Sequence, residues 1–186
     1  MVDVMGHFGM ALLWALPALV VWNGRASLAF IALVLSTAML PDVDLVLSQF
    51  LPIAHHGITH TVLFVVTVGV VAGAVVEYGL KSWLERAWLR SEGHTISAGA
   101  LFVFVAGALV LGGFSHLFAD MLSAPDIAKP VEPFWPLFSK PWSVDVAWYN
   151  SPWWNRGLLA IAATLHLVVG YLDFDVDHPY RISGES

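Results

Sequence analysis

Five apolar segments, the first two of them short for a membrane span, dominate this chain and limit its possible folds more than any other feature. From Val4 to Pro41 the single charged residue is Arg25, and no charge occurs from Thr95 to Ser115. So few charges cannot cover the surface of a soluble protein, whereas about 20 mostly apolar residues suffice for a transmembrane helix. The sequence therefore predicts helices that cross a membrane. The segments are Phe8–Trp22, Ala26–Leu40, Ile58–Leu80, Thr95–Met121 and Arg156–Asp173.

Composition excludes several other classes of protein. Of the 186 residues, 58% are apolar and 12% are charged, and the mean hydropathy is +0.74. Disordered chains have the opposite balance, with low hydrophobicity and high charge. A net charge of −6 and the lack of a basic run argue against binding to nucleic acid. Because there is no cysteine, the chain cannot form a disulfide, an iron–sulfur cluster or a thiolate zinc site.

The connections between the segments complete the predicted fold. Lys81–His94 mixes apolar and charged residues in the pattern of a short amphipathic helix at a membrane interface. Ser123–Asn155 is rich in proline and tryptophan, which indicates a structured loop. We therefore predict an all-α, polytopic membrane bundle of about five helices that forms a single domain over residues 1–186. Asp173–Ser186 is expected to be a solvated tail, and the first segment is expected to be retained rather than cleaved as a signal peptide.

The few polar residues of the chain gather at the ends of the apolar segments. If consecutive helices alternate in direction, the starts of the first and third segments and the ends of the second and fourth lie on one side of the membrane. These ends carry His7, Asp42, Asp44, His55, His56, His60, His116 and Asp120. His94 and His178 fall on the opposite side. His166 lies within a segment, where a hydrogen bond inside the bundle is its simplest role.

Imidazoles and carboxylates together form the ligand set of zinc, manganese or iron. Asp42 and Asp44 are two residues apart, and both can turn to one site if the backbone is extended. His116 and Asp120 are spaced i, i+4, which places them on one face of a helix. A catalytic zinc needs about three protein ligands, so this set is large enough for two cations. The predicted metal ligands are His7, Asp42, Asp44, His55, His60, His116 and Asp120.

Each of these residues also has an ordinary structural explanation. An aspartate after proline is a common cap or turn residue, and a His–Asp pair at i, i+4 can be a plain hydrogen bond. His56 and His60 have the same spacing and would share a helical face, although His56 could simply face solvent. An ionisable residue within a membrane segment costs about 2.5–3.5 kcal/mol on insertion scales. Agreement among separate helix ends therefore favours a functional site.

The motifs resemble those of a known family, the membrane-bound metal-dependent hydrolases, also described as LexA-binding, inner-membrane-associated hydrolases. The family pattern is Gly-His, Leu-Pro-Asp-hydrophobic-Asp, His-Arg-Gly-x-Thr-His, Ser-His-x-x-x-Asp and a loop rich in proline and tryptophan. The matching residues here are Gly6-His7, Leu40-Pro41-Asp42-Val43-Asp44, His55-His56-Gly57-Ile58-Thr59-His60, Ser115-His116-Leu117-Phe118-Ala119-Asp120 and Pro133-Phe134-Trp135-Pro136. His56 replaces the family's arginine, so it is expected either to contact the substrate when protonated or to add a metal ligand.

The resemblance implies a membrane-embedded hydrolase that is distantly similar to the zinc-dependent phospholipase C and single-strand nuclease superfamily. We therefore expect hydrolysis of a phosphoester, a lipid or lipid-linked one included, by a hydroxide that a bound cation generates near neutral pH. Asp42 and Asp44 are the expected catalytic carboxylates, as a bridging ligand or a general base. The expected cofactor is a divalent metal, zinc before manganese, iron or magnesium, with one, two or more ions. The expected partners are membrane lipid and the substrate.

Two other functions could use the same residues. Membrane His and Asp residues also build paths for protons or divalent metals. Such a path needs polar residues at every depth, and only His166 lies deep. A non-catalytic membrane adaptor could instead use the cluster as a structural metal site, for which a closed shell of four ligands would be typical.

The distribution of Lys and Arg predicts how the chain is oriented in the inner membrane. Positive residues are enriched in cytoplasmic loops. The side opposite the polar cluster carries Arg25, Lys81, Arg86, Arg90 and Arg181, and the cluster side carries Lys129, Lys140 and Arg156. The cluster is therefore expected to face away from the cytoplasm.

A reporter fused after Ser186 tests this orientation. We expect a fluorescent protein to fold and fluoresce at this position, because the last segment should end on the cytoplasmic side. Alkaline phosphatase fused at the same position should be inactive. An active phosphatase without fluorescence would reverse the predicted orientation.

Overall fold

The computed structural model describes residues 2–22, 24–86 and 96–173. In these ranges the chain is helical apart from its connections and a few isolated β-bridges, which confirms the predicted all-α fold. The helices are α1 Val4–Ala15, α2 Pro17–Val21, α3 Gly24–Thr37, α4 Val43–Leu47, α5 Val62–Val75, α6 Lys81–Leu84, α7 Ala98–Met121 and α8 Pro152–Asp173. A 3-10 turn, Ile58–His60, precedes α5, and a π-helical turn, Val76–Leu80, joins α5 to α6.

Within the described ranges, four helical stretches are long and apolar enough to cross a membrane. They are Val4–Val21, Val62–Leu84, Ala98–Met121 and Pro152–Leu172. The second predicted segment forms a shorter apolar helix, α3. The predicted amphipathic helix is described only as far as Arg86, and its remainder lies outside the described residues. So does most of the predicted tail, from Phe174 onward.

Consecutive long helices alternate in direction, and α7 lies between its neighbours. It packs against α1, α3 and α5, and α1 in turn packs against α8. Aromatic rings fill the half of the bundle away from the polar residues: Trp22 lies 4.6 Å from Phe30 and 5.2 Å from Phe104 between ring centroids. The starts of α1 and α5 and the ends of α3 and α7 therefore meet at one end of the bundle.

Two adjacent glycines let α3 and α5 approach the backbone of α7 closely. A Cβ at Gly112 would collide with the carbonyl oxygen of Val34 and the hydroxyl of Thr37 on α3, and one at Gly113 would collide with Val65 on α5. The Thr37 hydroxyl donates to the carbonyl of Leu109 at 2.9 Å. Small residues allow such close packing between membrane helices. This contact lies one helical turn before His116, so it fixes the positions of His116 and Asp120 relative to α3 and α5.

Substitution of glycine by alanine at two positions of α7 tests this packing. Gly112→Ala should destabilise the protein by about 1–3 kcal/mol, the usual effect of overpacking, and lower its unfolding temperature in detergent. Gly107→Ala is the matched control, because a Cβ there meets nothing within 4 Å and alanine is the better helix former. Equal unfolding temperatures for the two variants would show that α3 does not rest against α7 at this point.

Candidate metal centre

Four side chains from three parts of the chain converge where the helix ends meet. They are Asp42 before α4, His60 at the end of the 3-10 turn, and His116 and Asp120 on α7. Each offers one ligand atom, and the four atoms lie within 4.8 Å of one another. All four residues are buried, and Asp42 is the most exposed at 8%. Three predicted segments thus contribute to one compact group of potential ligands.

A backbone carbonyl sets the orientation of His116. Its Nδ1 donates to the carbonyl of Ala38 at 2.7 Å, so in the neutral ring Nε2 carries a lone pair. This Nε2 lies 3.4 Å from Asp42 Oδ1, 3.1 Å from Asp120 Oδ2 and 3.3 Å from His60 Nε2. A lone pair cannot donate to a carboxylate. A cation placed among these atoms would satisfy all of them at once.

Two carboxylates occupy the two edges of the His60 ring. Nε2 lies 3.3 Å from Asp42 Oδ1, and Nδ1 lies 3.1 Å from Asp44 Oδ2. The Thr59 hydroxyl donates to that same oxygen of Asp44 at 2.8 Å, and His55 Nδ1 lies 2.8 Å from the other oxygen. Both oxygens of Asp44 are therefore engaged. Carboxylates that bond the outer nitrogen of an imidazole in this way orient metal-binding histidines.

The two loop carboxylates are charged at neutral pH. Burial alone would raise the pKa of Asp42, but the imidazoles of His116 and His60 outweigh it and hold that pKa below its ordinary value. Burial also opposes ionisation of Asp44, and His55 and His60 hold its pKa low. Burial acts to lower the pKa of His60, yet Asp42 and Asp44 raise it overall. The site therefore favours positive charge between these carboxylates.

Several buried polar atoms of the cluster have no hydrogen-bond partner among the described residues. They are Asp42 Oδ1, Asp120 Oδ2, His56 Nε2 and both ring nitrogens of His7. A buried polar group that lacks a partner costs about 1–3 kcal/mol, and more if it is charged. Nitrogen and carboxylate oxygen are the ligands of zinc and similar divalent cations. The residues present thus fit a metal ion.

His7 and His56 contact the same carboxylate from different elements. His7 stacks on His116 with ring centroids 3.7 Å apart and 6° between the planes, and its Nε2 lies 3.5 Å from Asp120 Oδ1. His56 Nε2 lies 3.6 Å from Asp120 Oδ2, and its Nδ1 bonds the carbonyl of Lys129. Burial lowers the pKa of His56 to about 4. A neutral His56 favours the extra-ligand alternative over contact with an anionic substrate group.

Two local structures differ from the prediction. The backbone at Asp42 is not extended: φ is −70° and ψ is 0°, and α4 begins at the next residue. Asp42 and Asp44 contact opposite edges of the His60 ring, and both also offer a ligand atom to one group with His55, within 4.8 Å of one another. His56 is not in a helix, because its φ is 58° and a 3-10 turn separates it from α5. The predicted helical face of His56 and His60 is thus wrong, although both residues reach the cluster.

The ordinary explanation of Asp42 as a helix cap also fails, since its side chain makes no capping hydrogen bond to α4. The predicted pairing of His116 with Asp120 on one helical face is confirmed at 3.1 Å. His166 bonds the carbonyl of Ala162 in its own helix at 2.9 Å, apart from the cluster. His94 and His178 lie outside the described residues. All of the predicted site residues are therefore found in one connected group.

Backbone groups that hold the cluster had no signal in the sequence. The carbonyls of Ala38 and Lys129 accept from imidazoles, and the amide of Val2 donates to Asp120 at 3.3 Å. Any residue type supplies these groups, so only the fold reveals them. The Thr59 hydroxyl supports His60 through Asp44. The Ser115 hydroxyl donates to the carbonyl of Gly112 in its own helix.

Asn155 is a side chain that the prediction missed. It is 1% exposed in the first turn of α8. Its Oδ1 accepts from the amide of Asp3 at 3.2 Å, and its amide donates to the carbonyl of Tyr149 at 2.6 Å. It thereby ties the segment that carries Val2 to the loop before α8. A polar residue at the start of an apolar helix was the available signal.

Comparison with known proteins gives a family. A profile of the YdjM inner membrane protein family matches residues 1–177, which include every residue of the cluster. The chain belongs to the YdjM inner membrane protein family. No curated protein and no solved structure matches it. The family description and the apolar helices of the chain agree with the predicted membrane location.

Elemental analysis of purified protein tests the metal centre. We expect a bound divalent metal in the detergent-solubilised protein, and its loss in His60→Ala and His116→Ala. Thr59→Ala should weaken metal affinity by about 10–100-fold, because the orientation of His60 through Asp44 is lost.

His166→Ala is the matched control, since this imidazole lies outside the cluster. It should retain the wild-type metal content. Circular dichroism should show that all variants remain helical. A His116→Ala variant that is folded and fully metal-loaded would rule out the proposed ligand group.

Proposed function

We propose that this member of the YdjM family is a membrane-embedded, metal-dependent hydrolase of a phosphoester. The observation that supports this proposal is the convergence of ligand atoms from Asp42, His60, His116 and Asp120 in a buried group with unpartnered carboxylate oxygens. These residues would hold the cation. When bound, a divalent cation polarises a phosphoryl oxygen and lowers the pKa of bound water. Zinc suits this mixture of nitrogen and oxygen ligands best.

Asp42 and Asp44 have different roles in this proposal. Asp42 lines a cavity at the protein surface, and its Oδ1 is buried on the side of His60 and His116. A carboxylate so placed can accept a proton from a nucleophile that enters from the cavity. Both oxygens of Asp44 are engaged by His55, Thr59 and His60. Asp44 therefore acts by positioning His60, and Asp42 is the general base or bridging ligand.

The cluster offers ligands for more than one cation. Beside the group of Asp42, His60, His116 and Asp120, the ligand atoms of His55, His56 and His60 also lie within 4.8 Å of one another. Two-ion sites stabilise both the attacking and the leaving oxygens of phosphoester cleavage. His55 and His56 would help to hold the second cation.

A structural metal site is the second candidate function. Tetrahedral sites with four protein ligands and no open position are typical of structural zinc. The cluster contains four such potential ligands, Asp42, His60, His116 and Asp120. The cavity beside Asp42 favours the hydrolase over the structural site, because a substrate could reach Asp42 through it. Transport is less well supported, because the polar cluster of the described residues lies at one end of the bundle.

An assay of metal-loaded protein against phosphodiesters and phosphomonoesters tests the hydrolase. We expect turnover that a chelator abolishes and that added metal restores. Asp42→Asn should lower kcat by about 10²–10⁴-fold, the usual contribution of a general base. Asp145→Asn is the matched control, because Asp145 is exposed and its φ of 54° suits asparagine.

Each alternative gives a distinct result in the same preparation. Bound metal without turnover, together with unfolding on chelation, would support the structural site. Metal flux into liposomes that survives Asp42→Asn would support transport. Absence of both bound metal and metal-stimulated turnover would overturn the hydrolase proposal.

A further inference from the structure

A cavity of about 520 Å³ opens beside Asp42. Pockets for small-molecule ligands usually span about 300–1,000 Å³. Its walls come from the start of α1, the end of α3, α4 and the loop before α8. Most of the lining is apolar, including Val2, Val4, Met39, Val43 and Val46. The cavity therefore suits a hydrocarbon group better than a hydrated one.

The side chains of Asp3 and Ser36, which also line the cavity, are already bonded within the protein. The Asp3 carboxylate accepts from the amides of Met5 and Gly6, at 2.8 and 3.0 Å, and so caps α1. The Ser36 hydroxyl donates to the carbonyl of Leu33 at 2.6 Å. Asp42 differs because it also belongs to the candidate metal centre. The cavity thus meets the metal centre at Asp42, and most of its other lining is apolar.

The outer edge of the cavity continues into an apolar surface. Val4, Leu45 and Val46 line the cavity and are 53%, 44% and 56% exposed. Beyond them lie Phe50 and Leu51, which are 78% and 51% exposed. Val4 also begins one of the stretches that can cross a membrane. Exposed apolar side chains of this kind contact lipid, so the cavity is continuous with the bilayer-facing surface.

We propose that this cavity binds the hydrocarbon chain of a membrane lipid phosphoester and places its phosphate beside Asp42. The site would then accept a substrate directly from the membrane, with its chain in the apolar cavity. Water-soluble phosphoesters lack the part of the molecule that the cavity binds. The placement of the phosphate rests on the proposed hydrolase function. Binding of the hydrocarbon chain does not depend on turnover.

Photo-crosslinking tests the chain site without any reaction at the metal. The full chain is reconstituted in phosphatidylcholine vesicles with a long-chain alkyl phosphate that carries a diazirine on its chain. After irradiation, mass spectrometry should locate the label mainly within residues 2–4 and 36–46. An excess of the same alkyl phosphate without diazirine should compete. The proposal would be overturned if α4, α5 and α8 were labelled to the same extent and the competitor did not reduce this labelling.

Two variants that narrow the cavity sharpen the test. Val43→Trp and Met39→Trp fill it from α4 and from the end of α3, and each should reduce labelling by about tenfold. Val70→Trp is the control, because Val70 is 43% exposed on α5, away from the cavity. It should leave the labelling unchanged. Bound metal, measured in each variant, shows that the centre is intact.

Hydrolysis of short-chain and long-chain esters, measured in parallel, separates the two proposals. We expect a lower KM for long chains, and a loss of this preference in Val43→Trp and Met39→Trp. Localised, competable labelling without turnover would refute the hydrolase and keep the chain site. Turnover with the same KM for short and long chains, unaffected by either variant, would refute the chain site and keep the hydrolase.

Discussion

Burial of negative charge at one end of an apolar bundle is the constraint on which the rest of this structure depends. Asp42, Asp44 and Asp120 are 8%, 1% and 3% exposed. A buried carboxylate is tolerated only when partners compensate for its lost hydration. Here the partners are imidazoles, a hydroxyl and a backbone amide from separate elements. The ends of α1, α3, α5 and α7 must therefore stay in register for the charges to be compensated.

The packing of α7 provides this register. Gly112 and Gly113 bring α3 and α5 against its backbone, and the contact of α3 carries the Ala38 carbonyl to His116. The aromatic rings at the other end fill space but bind no polar group of the cluster. One end of the bundle is thus specified by shape and the other by hydrogen bonds and charge. Because the ionisable groups are confined to one end and compensate one another there, the rest of the chain can be apolar.

The sequence predicted what local spacing and alternation determine. The apolar segments gave the helices, and their alternation brought the polar ends together. The pair His116 and Asp120 followed from i, i+4 spacing within one long helix. The backbone at His56 did not follow, because its bond to Lys129 joins residues 73 apart in the chain. The backbone conformation at Asp42 was also missed, since it depends on where α4 begins rather than on the spacing of the two carboxylates.

The order of the ligands along the chain has a consequence for biogenesis. His7 lies in the first membrane helix, whereas His116 and Asp120 lie near the end of α7. Chains are synthesised from the N-terminus, and early segments fold before late ones exist. The nascent protein therefore exposes Asp42 and His60 without His116 and Asp120 until α7 has entered the membrane. Assembly of the metal centre is therefore a late event. A chain that stalls before α7 is made would carry incompletely compensated charges.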